Sequence, residues 1–136
     1  MNKQELYNNF INYFYGKVDA YMFESANSNL YSVLHGKESI DVYNRKLREF
    51  TRVLYLLKQR VERTIIKLEK SLDLMKREGY SLSNKFEKEN LLKENRTVYI
   101  NIKNFMQEFN SVTGVSLGEV HDVIIYLEAT KNDQIV

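Results

Sequence analysis

The sequence predicts an all-α protein: a long helical hairpin, or a helical bundle of about four helices, in which one helix runs for about 40 residues. Three observations lead there. The 136 residues include no proline and only 5 glycines, so the residues that interrupt helices are nearly missing. From Ile40 to Met75 apolar residues recur at steps of three or four without a break. Apolar residues make up 43% of the chain, enough for one core at a length that fits a single domain spanning 1–136.

The first helix is expected over Lys3–Ser25, with Leu6, Phe10, Phe14, Val18, Tyr21 and Met22 on one face. Gly16 lies inside this pattern and marks a bend or a close helix crossing. Ala26–Lys37, with Asn27, Ser28, Asn29 and Gly36, reads as a loop around a short helical piece, Leu30–Leu34.

The long helix follows. Ser39 is its N-cap, and Asp41 sits in the first turn, where the helix dipole favours an acid. Its seam is Ile40, Tyr43, Leu47, Phe50, Leu54, Leu57, Val61, Ile65, Leu68, Leu72 and Met75. Up to Val61 the seam keeps a coiled-coil heptad, and beyond it drifts as a straight helix of period 3.6 does. Lys76 and Arg77 occupy the last turn and Gly79 the position just past the end.

A polar turn, Gly79–Asn84, leads to a third helix over Lys85–Ser111. Its expected core face is Phe86, Leu91, Asn95, Val98, Ile102, Phe105, Phe109 and Val112, with Asn95 as a buried register-setting amide. After Thr113-Gly114-Val115, Ser116 and Glu119 form a capping box and open a fourth helix whose core face is Leu117, Val120, Val123, Ile124 and Leu127. The tail Thr130–Val136 reads as frayed, and no internal repeat is present.

Composition narrows the chemistry. With no cysteine, disulfides and thiolate zinc sites are excluded, and a reducing compartment fits. Residues 1–14 hold no continuous apolar run, so no signal peptide is expected, and no stretch is long and apolar enough to span a membrane. A cytoplasmic protein is the expectation. Frequent Tyr, Asn, Lys and Ile reflect AT-rich codons and fit a phage, plasmid or other mobile element.

No residue pattern supports a reaction. The two histidines, His35 and His121, have no metal-ligand partner at i+3 or i+4 and read as surface residues. There is no His-Glu-x-x-His motif, no phosphate-binding loop and no Gly-rich dinucleotide turn. Glu62, Glu69 and Asp73 flank the long helix among Lys and Arg, where surface ion pairs such as Glu62–Lys58 and Asp73–Arg77 account for them. No enzyme, cofactor, metal or small-molecule substrate is therefore expected.

Two surfaces remain. The net charge is only +2, but residues 39–79 hold 11 Lys and Arg against 6 Asp and Glu. Arg45, Arg48, Arg52, Arg60, Arg63, Lys67, Lys70 and Arg77 fall opposite the seam, as contacts for phosphates or for an acidic protein. Val53, Tyr55, Leu56, Ile66 and Leu74 add apolar surface to a helix whose core face is already complete. The stretch Val53–Leu57 is apolar all round, so it is either central in the fold or part of an oligomer interface. The leading expectation is a non-catalytic helical assembly or regulatory module that binds a protein partner or its own copy through this surface. The alternative is a nucleic-acid-binding accessory protein that uses the basic stripe.

Thr113-Gly114-Val115-Ser116, followed by Val120, Val123, Ile124 and Leu127, resembles the turn and recognition helix of helix-turn-helix proteins. The likeness covers roughly 25 residues and rests on scaffold positions: the turn glycine Gly114, the cap Ser116 and the apolar offsets. It implies that Leu117, Gly118, His121 and Asp122 face bases. None of them is Lys or Arg, and Asn110 stands where the tight helix crossing takes a small residue.

Overall fold

The computed structural model describes residues 1–79 and 82–135, with side chains for 1–79 and 84–131. Five helices follow one another, with no strand among the described residues: α1 (Lys3–Phe14), α2 (Ala20–His35), α3 (Ile40–Glu78), α4 (Leu82–Thr113) and α5 (Leu117–Ile135). The all-helical architecture and its single long helix are as the sequence predicts. The backbone expected to fray beyond Thr130 is helical to Ile135; Val136 and the side chains of 132–136 lie outside the described residues.

The expected first helix is two helices. Gly16 takes φ +72°, a left-handed conformation costly to any residue with a Cβ, and stops α1. Asp19 then caps a new helix, its carboxylate accepting from the Met22 amide at 3.0 Å. The expected loop at Ala26–Lys37 is mostly α2. Its Phe23, Ala26, Leu30, Val33 and Leu34 are buried on one face, and this packing overrides the weak helix preference of Asn27, Ser28 and Asn29. Two of those polar residues are anchored: Asn27 accepts from the Tyr7 hydroxyl at 2.6 Å, and Asn29 donates to Ser25 O at 2.9 Å.

The long helix has the ends its sequence encodes. Ser39 Oγ accepts from the Val42 amide at 3.4 Å, and Gly79 closes onto Met75 O from the left-handed conformation at φ +70°. Helices α3 and α4 run antiparallel as a hairpin. On it α1 packs against α4, α2 against α3, and α5 mainly against α3.

The core lies in the half of the hairpin nearest α1 and α2. Phe10 and Phe14 of α1, Phe50 of α3, and Phe105 and Phe109 of α4 are fully buried. Phe10 meets Phe105 at 5.5 Å and Phe50 at 5.9 Å, both edge-on, the geometry aromatic quadrupoles favour. Burying each such ring contributes about 1.5–3 kcal/mol. Thr51, the one buried polar side chain among the described residues, donates to Leu47 O at 2.7 Å and leaves no polar group unpaired.

Beyond Val61 on α3, and before Val98 on α4, the two helices continue as a projecting arm. In it only Leu68 and Leu92 are buried among the described side chains. Seventeen residues of α3 lie past Val61, about 25 Å of helix. Phe86 and Leu91, expected in the core, are 65% and 46% exposed. Leu92, the neighbour of Leu91, is buried instead. Asn95 is half-exposed and donates to Leu91 O of its own helix at 2.8 Å, so it sets no register between helices. At the other ends of the stripes Ile40, Val123 and Leu127 are exposed as well. Nothing among the described residues covers these positions.

Candidate interaction surfaces

The arm is a two-helix layer with an apolar residue on each available side. Ile66 and Leu74 of α3 are each 51% exposed and lie among Lys and Arg. Phe86 and Leu91 come from α4, separated by about 140° around the helix. Polar links hold the two helices in register: Arg96 reaches Glu69 at 3.0 Å and Lys88 donates to Ser71. Where the arm leaves the bundle, the turn at Gly16 and Lys17 overhangs an open notch. Leu91, Asn95 and Val98 of α4 line one part of it, and Val61 and Thr64 of α3 the other.

The five apolar residues that the sequence placed on a partner surface divide into two groups. Val53 is buried: it lies seven residues from both Lys46 and Arg60, which reach Ser32 and Met22 of α2, so α2 covers that flank. Tyr55 is half-buried on the opposite flank and stacks on His121 of α5, the rings 3.7 Å apart and inclined by 6°. Within the girdle Val53–Leu57 neighbouring helices thus cover every residue but Leu56, which corrects the reading of Val53 and Tyr55 as a free surface. Leu56, Ile66 and Leu74 remain exposed.

The basic stripe is also divided. Arg52 bridges Glu49 at 2.7 Å and Glu128 of α5 at 3.3 Å. Arg60 approaches Asp19 at 3.9 Å and rests against the Met22 sulfur, and Arg77 pairs with Asp73 at 3.2 Å. Lys58 takes Glu62 at 3.4 Å. Among the described residues Arg45, Arg48, Arg63, Lys67 and Lys70 make no ion pair. All of these but the half-buried Arg48 are exposed.

The α4–α5 turn has the local geometry its sequence encodes. Gly114 adopts φ +73°, Thr113 Oγ1 accepts from the Val115 amide at 3.1 Å, and Ser116 Oγ accepts from the Glu119 amide at 3.3 Å. Its supposed reading face is turned inward. Leu117 is buried, Gly118 lies beside the Tyr55 hydroxyl, and His121 is stacked on the Tyr55 ring. Of the four positions only Asp122 is exposed, and an acid there repels phosphate.

His35 also has an aromatic setting, tilted over Tyr31 at 4.7 Å and edge-on to Tyr7 at 6.0 Å. Sequence reading missed Glu108. Its carboxylate accepts from the Tyr13 hydroxyl at 2.7 Å and from Asn9 Nδ2 at 3.4 Å, tying α1 to α4. Burial first, then this hydrogen bond and the nearby negative charge, push the Tyr13 phenol up to about 12. Burial also raises the Tyr55 phenol; Lys58 pulls it back and Asp122 adds to the rise. A polar residue spaced along one helix gives no sign of a partner almost a hundred residues away.

Among the described residues no three His, Asp or Glu side chains converge as a metal site needs, and no helix is long and apolar enough to cross a membrane. No protein-family model, curated protein or solved structure matches the chain.

Proposed function

We propose that this protein is a non-catalytic helical assembly module that presents its α3/α4 arm to other helices, a second copy of the chain being the first partner. The observation that carries this is the uncovered arm, with Ile66, Leu74, Phe86 and Leu91 about half or more exposed on helices whose Phe50, Leu54, Phe105 and Phe109 are fully buried in the bundle. In the bundle the same two helices are covered by a helix pair, α1 and α2, and by α5. A two-helix layer lacking such cover matches the arm of another copy, and two arms laid together form a four-helix arrangement about a two-fold axis. Exposed apolar residues grouped on a projecting element mark interfaces.

Light scattering across a wide concentration range tests this. The mass rises from one chain toward two with concentration, and Phe86→Asp with Leu91→Asp holds it at one chain while the thermal melt stays unchanged. A wild-type chain that remains a monomer at the highest concentration removes self-association.

A further inference from the structure

The outer face of α3 carries a row of cations that in the arm runs beside Ile66 and Leu74. At 100° per residue Arg45 and Arg63 share one azimuth, and Arg48, Lys67 and Lys70 fall within about 60° of it. Among the described residues α2 runs along one flank of this line, through Lys46–Ser32 and Arg60–Met22, and α5 along the other, through Tyr55–His121, its Glu128 reaching only Arg52 on the line. Of the acids on α3, Asp41 and Glu78 lie near the ends of the line without an ion pair among the described residues, and the others are engaged. Glu49, Glu62, Glu69 and Asp73 each have a cation at 3.4 Å or closer, and none of those cations is among the five. None of the five cations has an ion-pair partner among the described residues.

We infer that the outer face of α3 binds the phosphate backbone of duplex nucleic acid without reading its sequence. Arg45 and Arg48 form one group of cations, and Arg63, Lys67 and Lys70 another. Their centres lie about 20 residues apart, or about 30 Å along the helix. This is close to the ~34 Å turn of a B-form duplex, so a rigid helix laid along the duplex meets phosphates at two successive passes. Between the groups the line holds Leu56, Gln59 and the neutralised Arg52, which suits the intervening groove. Three of the five are arginines, whose planar fork engages phosphate through two hydrogen bonds at once.

Two neighbouring chemistries fit less well. The line has no Phe or Tyr, so it offers no platform on which single-stranded bases could stack. Its exposed apolar residues, Leu56, Ile66 and Leu74, are spread over 18 residues, too thinly for a helix that buries one face in a lipid surface.

The test is fluorescence anisotropy of the full chain with a mixed-sequence duplex of about three turns, titrated across salt. Five phosphate contacts give a slope of log K against log salt of about −4.5, so affinity falls about 500-fold between 50 and 200 mM salt. Arg63→Ala, Lys67→Ala and Lys70→Ala together reduce the slope to about −2, equally for duplexes of different sequence. A duplex of roughly one turn, 10 bp, engages a single group and shows a correspondingly shallow slope. A variant with Lys3→Ala, Lys93→Ala and Lys131→Ala loses the same charge away from this face and keeps the wild-type slope. Absence of duplex binding at low salt overturns the inference, as does an equal loss in the control variant. Binding to anionic vesicles but not to duplex overturns it in favour of a membrane surface. Light scattering on the same variants keeps this result separate from that of the arm, because none of these substitutions removes Phe86 or Leu91.

Discussion

The two halves of the α3/α4 hairpin share helices and apolar periodicity, yet differ in what lies against them. In the bundle half, Phe50, Leu54, Phe105 and Phe109 are sealed under α1 and α2. In the arm, Ile66, Leu74, Phe86 and Leu91 continue the apolar pattern with no helix among the described residues to cover them. A periodic apolar stripe says which face of a helix gains from burial. It does not say whether the chain itself supplies the cover. Where it does not, the stripe becomes surface, and the stability of that segment rests on propensity, its caps and a few cross-helix contacts.

The comparison breaks most sharply on one helix. Phe105→Ala empties a fully buried site and costs about 3–5 kcal/mol, whereas Phe86→Ala, nineteen positions earlier in α4, shifts monomer stability by no more than about 0.5 kcal/mol. Urea denaturation of both variants at low concentration measures the difference. Equal losses would mean that the arm is packed like the bundle.

A smaller effect belongs to the bundle alone. The Tyr13 phenol titrates at about 12 in the folded chain against about 10 when unfolded, so the folded state holds this proton more tightly. The stability this contributes is complete below pH 10 and is lost as pH rises from about 10 to 12. Tyr13→Phe removes that pH dependence and costs about 1 kcal/mol at neutral pH through the lost bond to Glu108. Thermal melts of both proteins across this window check it, and an unchanged pH profile in the variant would dissociate Tyr13 from it.

Much of the fold was legible in the sequence because its signals are local. Ser39, the unbroken seam and Gly79 delimit α3 within a residue, and Ser116 with Glu119 marks the start of α5. The break between α1 and α2 was written in Gly16 and Asp19, a left-handed stop followed three residues later by an N-cap, but the continuing apolar spacing through Met22 masked it. Tertiary facts were not legible. Val53 and Tyr55 carry no mark that α2 and α5 cover them. Phe86 and Leu91 carry none that they lie beyond the reach of α1, which ends at the Gly16 turn. The basic stripe was visible as eight residues, but its division into paired and unpaired cations depended on Glu128 and Asp19 from other helices.

The most direct measurement of the central claim is amide hydrogen exchange, followed peptide by peptide at low and at high protein concentration. At low concentration the arm, residues 62–79 and 82–97, exchanges by local opening, much faster than the bundle segments around Phe50 and Phe105. At high concentration the arm gains protection while the bundle changes little. Arm amides as protected as the bundle at low concentration, or indifferent to concentration, would contradict an uncovered arm that docks on its own copy.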